Sequence, residues 1–173
     1  IPFLEGQALA PGEHDAFFPP SQSPETGTLY EHAARALDRA MTFGRNGLPL
    51  MGTGDWNDGM NRVGEGGEGE SVWLGWFLLA ALRDFLPIAE QQNDAVRVKR
   101  WRKRKSELTA SIEKNGWDGA WYRRAFYDDG TPLGSAESDE CRIDAIAQSW
   151  AVRSGTGDAG RARETKGQYI KER

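Results

Sequence analysis

Gly47-Leu48-Pro49-Leu50-Met51-Gly52-Thr53-Gly54-Asp55-Trp56-Asn57-Asp58-Gly59-Met60-Asn61 is the stretch on which the reading of this chain turns. Asp55 and Asp58 stand three residues apart, with Trp56 and Asn57 between them. Gly52, Gly54 and Gly59 permit the tight backbone turns of a loop. The stretch is too polar and too aperiodic for a core, and its chemistry suits a site instead. A carboxylic acid can move a proton, a second carboxylate and an amide can bind hydroxyls, and an indole offers an apolar face. Those groups together fit a sugar ring, which has one apolar face and an equatorial rim of donors and acceptors.

Other readings of the loop fare worse. An EF-hand needs oxygen ligands at positions 1, 3 and 5 and glycine at 6. Counted from Asp55, Gly59 falls at position 5 and Gly66 at the twelfth, so calcium is excluded. A plain capping turn, with Asp58 satisfying backbone amides, stays open on composition alone. With two His and one Cys, no zinc cluster and no Ser–His–Asp or Cys–His set is visible, and no metal is expected.

The totals set the frame. At 173 residues the chain is long enough for one domain with a real core. Hydrophobic residues at 38%, charged residues at 28% and a net charge of -4 read as soluble and globular, and argue against a nucleic-acid binder. Cys141 alone forms no internal disulfide. The longest apolar run, Trp76 to Leu82, falls short of the ~20 residues of a membrane helix. No signal peptide opens the chain, and an initial Ile reads as a piece of a longer protein.

Along the chain, residues 1–27 are punctuated by Pro2, Pro11, Pro19, Pro20 and Pro24 and read as an extended arm. His14 lies in it with no second His nearby, so a solvated loop is the simpler reading. Thr28 and Glu31 have capping-box spacing before a helix marked by Leu29, Ala33, Ala36, Leu37, Ala40 and Met41 and ended by Gly44 and Gly47. His32 reads as a packed, hydrogen-bonded histidine. Gly64, Gly66 and Gly69 formally match the dinucleotide fingerprint. No strand precedes them, and Glu65, Glu68 and Glu70 would repel a pyrophosphate, so the stretch reads as a flexible acidic turn.

Ser71 should cap a buried helix through Trp73, Trp76, Phe77 and Phe85, ended or kinked at Pro87. A helix over 94–114 follows, with Val98, Trp101, Leu108 and Ile112 as its stripe and Lys99–Lys105 as a solvated face. Trp117 to Leu133 reads as a short hairpin or an Arg-bearing loop. Ile143, Ile146, Ala147, Trp150 and Ala151 mark a last helix, with Asp144 and Gln148 one turn apart. The tail after Gly157 is polar and unpatterned. The fold class is mainly α.

Beyond composition, the opening loop resembles the inverting disaccharide phosphorylases of glycoside hydrolase family 94. Gly69-Glu70-Ser71-Val72-Trp73, Leu29-Tyr30-Glu31-His32, Trp117-Asp118-Gly119-Ala120-Trp121-Tyr122-Arg123-Arg124-Ala125 and Arg142-Ile143-Asp144-Ala145-Ile146-Ala147-Gln148-Ser149-Trp150 share the likeness. It is strongest to the carboxyl-terminal domain of the cyclic β-1,2-glucan synthases, beside cellobiose and chitobiose phosphorylases. The resemblance implies an incomplete portion of an (α/α)6 barrel over residues 1–160, with 161–173 as an unassigned tail. Twelve helices with their connections need roughly 200 residues. It makes Asp58 the general acid and Trp56 a wall of the glycosyl subsite. Asp55, Asn57, Arg124, Asp144 and Gln148 are candidates for sugar hydroxyls.

The implied reaction is phosphorolysis of a β-glucosidic bond with inversion, giving α-glucose 1-phosphate, with inorganic phosphate as co-substrate and no cofactor. Phosphate is already an anionic nucleophile, so one acid is enough, whereas an inverting hydrolase needs a base as well. To donate, Asp58 must be protonated, which calls for a pKa raised by partial burial or by Asp55. The partners implied are a β-glucan oligosaccharide and phosphate, with no nucleic acid and no membrane segment in this chain. The resemblance also admits a homodimer and a membrane-associated parent, in the cytoplasm or on the cytoplasmic face of the inner membrane. The family's phosphate site has no counterpart in the sequence. Rival readings are a phosphorylase of other specificity such as cellobiose, a non-catalytic glucan-binding remnant, and a membrane-surface module using Lys99–Lys105.

Overall fold

The computed structural model describes residues 1–171 apart from Gly12, His14 and Asp15, without the side chains of Asp58 and of 166–171. The reading of His14 therefore lies outside the described residues. The chain forms two compact units, residues 1–41 and 42–173.

In the first unit the expected arm doubles back on itself. β1 (Pro2–Glu5) pairs antiparallel with β2 (Ser21–Thr26), Pro2 opposite Thr26 and Glu5 opposite Ser21. Ladder pairing joins residues far apart in sequence, so a proline-punctuated stretch gives little local sign of it. α1 (Leu29–Ala40) starts as its cap dictates, with Thr28 Oγ1 accepting from the Glu31 amide at 3.1 Å. It ends at Ala40, before Gly44, where the Met41 amide closes a short turn on the Asp38 carbonyl. His32 stacks on Phe3 at 4.0 Å, and its Nε2 lies 3.2 Å from the Ile1 carbonyl, so it is packed and hydrogen-bonded. The apolar stripe of α1 is poorly covered: Ala34 alone among its residues is buried, and Leu29 is 73% exposed.

The second unit is built round one helix. Ser71 Oγ accepts from the Leu74 amide and opens α2 (Val72–Gln91), which buries ten of its twenty residues. α2 runs four residues beyond Pro87 instead of stopping there. The proline removes one helical hydrogen bond, while Leu86 and Ala89 on either side remain buried in the core. α2 is also long and apolar enough to cross a membrane. Here it packs between α3 (Ala95–Ser111) and α4 (Ala145–Ser154), so its apolar character serves the core. Trp76, Leu79 and Leu82 of α2, Trp101 and Leu108 of α3 and Ile112 just after it are all fully buried. Each such aliphatic side chain contributes about 2 kcal/mol by leaving water.

α3 is capped by Asp94, and its end widens into a π turn over Ile112–Gly116. Apart from the buried Trp101, Lys99–Lys105 is the solvated face expected, with Arg102 paired to Glu90 and Arg104 to Glu107. The tail is helical: α5 (Ala159–Lys171) follows Asp158, whose carboxylate accepts from the Arg161 amide. It is fastened by Glu113, which accepts from Tyr122 Oη, the Asp158 amide and Arg161 Nη1. Three two-residue strands complete the unit: β3 (Glu70–Ser71), β4 (Ala125–Phe126) and β5 (Pro132–Leu133), antiparallel in that order. With five helices among the described residues, the fold is mainly α.

Candidate active site

The loop 51–61 hangs from this small sheet. At its base the Met51 amide donates to the Gly69 carbonyl at 3.0 Å, and the Gly54 amide returns to Met51 at 3.1 Å. Gly52 (φ 56°) and Gly54 (φ 154°) take backbone conformations that side chains disfavour. Asp55 then turns the chain, its Oδ1 accepting from the Asn57 amide at 3.1 Å. A single 3-10 turn, Asp58–Met60, is capped by Asn57 Oδ1, which accepts from the Gly59 amide at 3.0 Å.

Arg124 anchors this turn from behind. β4 places it, since its amide donates to the Leu133 carbonyl and its carbonyl accepts from the Val72 amide. Its Nη2 lies 2.6 Å from Asp55 Oδ2, and its Nη1 donates to Ser71 Oγ at 3.1 Å. Ser71 Oγ in turn donates to Asp55 Oδ2 at 3.0 Å. Arg124 Nε stands 3.7 Å from Asp144 Oδ2, whose other oxygen caps α4 at the Ile146 amide. One guanidinium thus joins the loop to the first turns of α2 and α4.

The residues of the expected sugar-binding set differ in their exposure and partners. The Asp55 side chain is 0% exposed and Arg124 is 1% exposed, and both meet protein partners. Gln148 is buried as well. Its amide donates to the Tyr122 and Asp144 carbonyls and accepts from the Tyr122 amide, which binds α4 to the segment before β4. Trp56, Asn57 and Asp144 keep solvent access, Trp56 at 61%. The side chain of Asp58 lies outside the described residues; its backbone opens the exposed turn.

Two features were not singled out from sequence. Trp56 meets Trp73 edge-on at 6.3 Å, and Trp73 continues to Phe77 at 5.5 Å and Trp150 at 6.1 Å. The i, i+4 spacing of Trp73 and Phe77 is a signal for one aromatic face, but both read equally well as core. The second is Asp128, within the stretch read as a hairpin or loop. Its carboxylate accepts from the amides of Gly66, Glu68 and Gly69, each at 2.8 Å. Desolvation pushes the Asp128 pKa up. The three amides, with Arg45 nearby, outweigh that and hold it below the usual range. The glycine loop therefore does cradle an anion, one supplied by this chain, and the expected flexible turn is a fastened one. Glu70 is likewise buried, accepting from Asn46 and the Leu48 amide.

A family model, the glycosyl hydrolase 94 superfamily catalytic domain, matches residues 7–171. The chain belongs to that family. Its match takes in the loop, the Arg124 anchor and α5, which sequence patterning left unassigned. Within family 94, the chain is 58% identical over 163 residues to the cyclic beta-(1,2)-glucan synthase NdvB of Rhizobium meliloti, covering 94% of this chain and 6% of the relative. A 3-O-beta-D-glucopyranosyl-beta-D-glucuronide phosphorylase of Paenibacillus borealis is 37% identical over 140 residues, covering 80% of this chain and 18% of the relative. A cellobionic acid phosphorylase of Neurospora crassa is 32% identical over 137 residues, covering 79% and 17%. The chain thus spans under a fifth of the length of these family 94 relatives. A solved GH78 family rhamnosidase of Bacillus sp. GL1 shares the fold, with a TM-score of 0.60 at 20% identity over 80% of this chain and 14% of that one. Family membership and the helical architecture together identify a portion of an (α/α)6 barrel catalytic domain.

Proposed function

We propose that this chain carries the general-acid part of an inverting glycoside phosphorylase site acting on β-glucosidic bonds, with β-1,2-linked glucans as substrate. The observation that carries the reading is the family 94 match over residues 7–171, which includes a solvent-facing Asp55–Asn61 turn fixed from behind by Arg124. Asp58 is the acid and Trp56 stacks on the sugar at the cleavage point, while Asn57 and Asp144 supply hydroxyl contacts. The likeness to NdvB favours the β-1,2 linkage.

In the reaction, a phosphate oxygen attacks the anomeric carbon from the face opposite the leaving sugar. The C1–O bond breaks as Asp58 transfers its proton to the departing oxygen. The products are α-glucose 1-phosphate and a shortened glucan, and the Asp58 carboxylate regains a proton from solvent. A positioned acid of this kind contributes roughly 100- to 10,000-fold in rate. Phosphate must be held by cationic and backbone donors, supplied on this reading by other parts of the full protein. The place of work is the cytoplasm or the cytoplasmic face of the membrane.

The test is glucose 1-phosphate release by the full protein that carries this chain, with phosphate and either β-1,2-glucooligosaccharides or cellobiose. Phosphate-dependent release from the β-1,2 series alone is expected. Release from cellobiose alone would move the specificity, and binding without release from either would replace the enzyme by a glucan-binding module.

A further inference from the structure

We propose that Arg124 is a positioning residue for the acid: it holds the Asp55–Asp58 turn against the start of α2 through Asp55 and Ser71. The proposal rests on the assignment of Asp58 as the acid. Burial keeps Arg124 from the sugar, so its influence has to pass through its partners. Its terminal nitrogens divide the work, Nη2 to Asp55 at 2.6 Å and Nη1 to Ser71 Oγ at 3.1 Å. Asp55 divides its oxygens in the same way: Oδ2 takes the guanidinium and the Ser71 hydroxyl, and Oδ1 takes the Asn57 amide. With Oδ2 fixed, Oδ1 sets where the chain goes next, and Asn57 then caps the turn that begins at Asp58.

The remainder of the loop needs that tie. Thr53, Asn57, Gly59 and Asn61 are exposed, and Gly52 and Gly54 lend the backbone freedom. Proton transfer demands hydrogen-bond reach between acid and leaving oxygen, and a misplacement of about 1 Å costs on the order of 100-fold. Lysine cannot stand in for Arg124. A single ammonium does not reproduce the planar fork that reaches Asp55 and Ser71 together.

The leaving group separates positioning from general damage. In the full protein, phosphorolysis is measured on a β-1,2-glucooligosaccharide and on 2,4-dinitrophenyl β-glucoside, whose phenolate departs without a proton. Arg124→Lys should lower kcat on the oligosaccharide by about 100-fold, leaving KM and the aryl glucoside rate within about threefold. Ser71→Ala, which removes one strut, should show the same selectivity at about tenfold. The basic limb of the kcat–pH profile on the oligosaccharide should flatten in Arg124→Lys. An equal loss on both substrates with the wild-type profile shape kept, or no loss, overturns the proposal. Should Arg124→Lys not fold, Ser71→Ala decides by the same ratio. Asp58→Asn run alongside should lose the oligosaccharide and keep the aryl glucoside; if it spares both or loses both, the acid assignment itself falls.

Discussion

At the scale of single residues, the Arg124–Asp55 pair shows how position changes the meaning of a side chain. Asp, Arg and Gln near a sugar loop read from sequence as hydroxyl binders, yet Asp55, Arg124 and Gln148 are buried on protein partners. Sequence carries their identity but not that residues 55, 71, 124 and 144 converge, because their meeting depends on β4 and two helix starts. Removing one partner of a buried ion pair leaves the other charge uncompensated. Asp55→Ala should therefore destabilise the protein by about 3–5 kcal/mol in urea unfolding; a cost under about 1 kcal/mol, typical of a surface pair, would contradict the burial. Asp128 gives a pH test. Its folded pKa lies below the unfolded value of about 3.9. The carboxylate thus adds stability above that pH and loses it as pH falls through the folded value. Titrating the Gly66, Glu68 and Gly69 amides by NMR should give one common midpoint below about 3.9. A midpoint at or above it would mean that the amides do not bind the ionised form.

At the scale of elements, what was legible is what the chain encodes locally. Thr28 and Ser71 each cap a helix through their own side chains, and Trp101, Leu108 and Ile112 of the next helix's stripe are buried as their spacing requires. The β1–β2 ladder was not legible, since it joins residues about twenty apart through backbone alone. Nor was α5, whose sequence carries no apolar periodicity and whose start is fastened by Glu113, some 45 residues earlier. The glycine loop was half legible: its turns were, but not the carboxylate it encloses. Its packing makes a sharp prediction. A methyl group at Gly69 would fall on the Gly64 backbone and the Val63 carbonyl, and both are main chain with no rotamer to yield. Gly69→Ala should cost about 1–3 kcal/mol by overpacking. It should also loosen loop 51–61, whose base hangs on the Gly69 carbonyl, seen as faster amide exchange at Met51 and Gly54. Unchanged exchange with full stability would show the loop to be independent of this turn.

At the scale of the whole molecule, the chain spans 6% of the length of NdvB and 18% of that of the Paenibacillus phosphorylase. It leaves apolar surface open, including Leu29 on α1, Phe77 on α2 and Val152 on α4. Family and fold were legible because several separated motifs carry them in order. Substrate linkage was not, since relatives that share these motifs are named for different glycosides. The central claim is that Asp58 donates the proton that frees the leaving sugar as phosphate attacks. The most direct measurement is phosphorus NMR of the full protein turning over β-1,2-glucooligosaccharide with phosphate, wild type beside Asp58→Asn. The account predicts α-glucose 1-phosphate from the wild type and a rate lowered by at least about 100-fold in the variant. The β anomer, or an Asp58→Asn enzyme as fast as wild type, would contradict it.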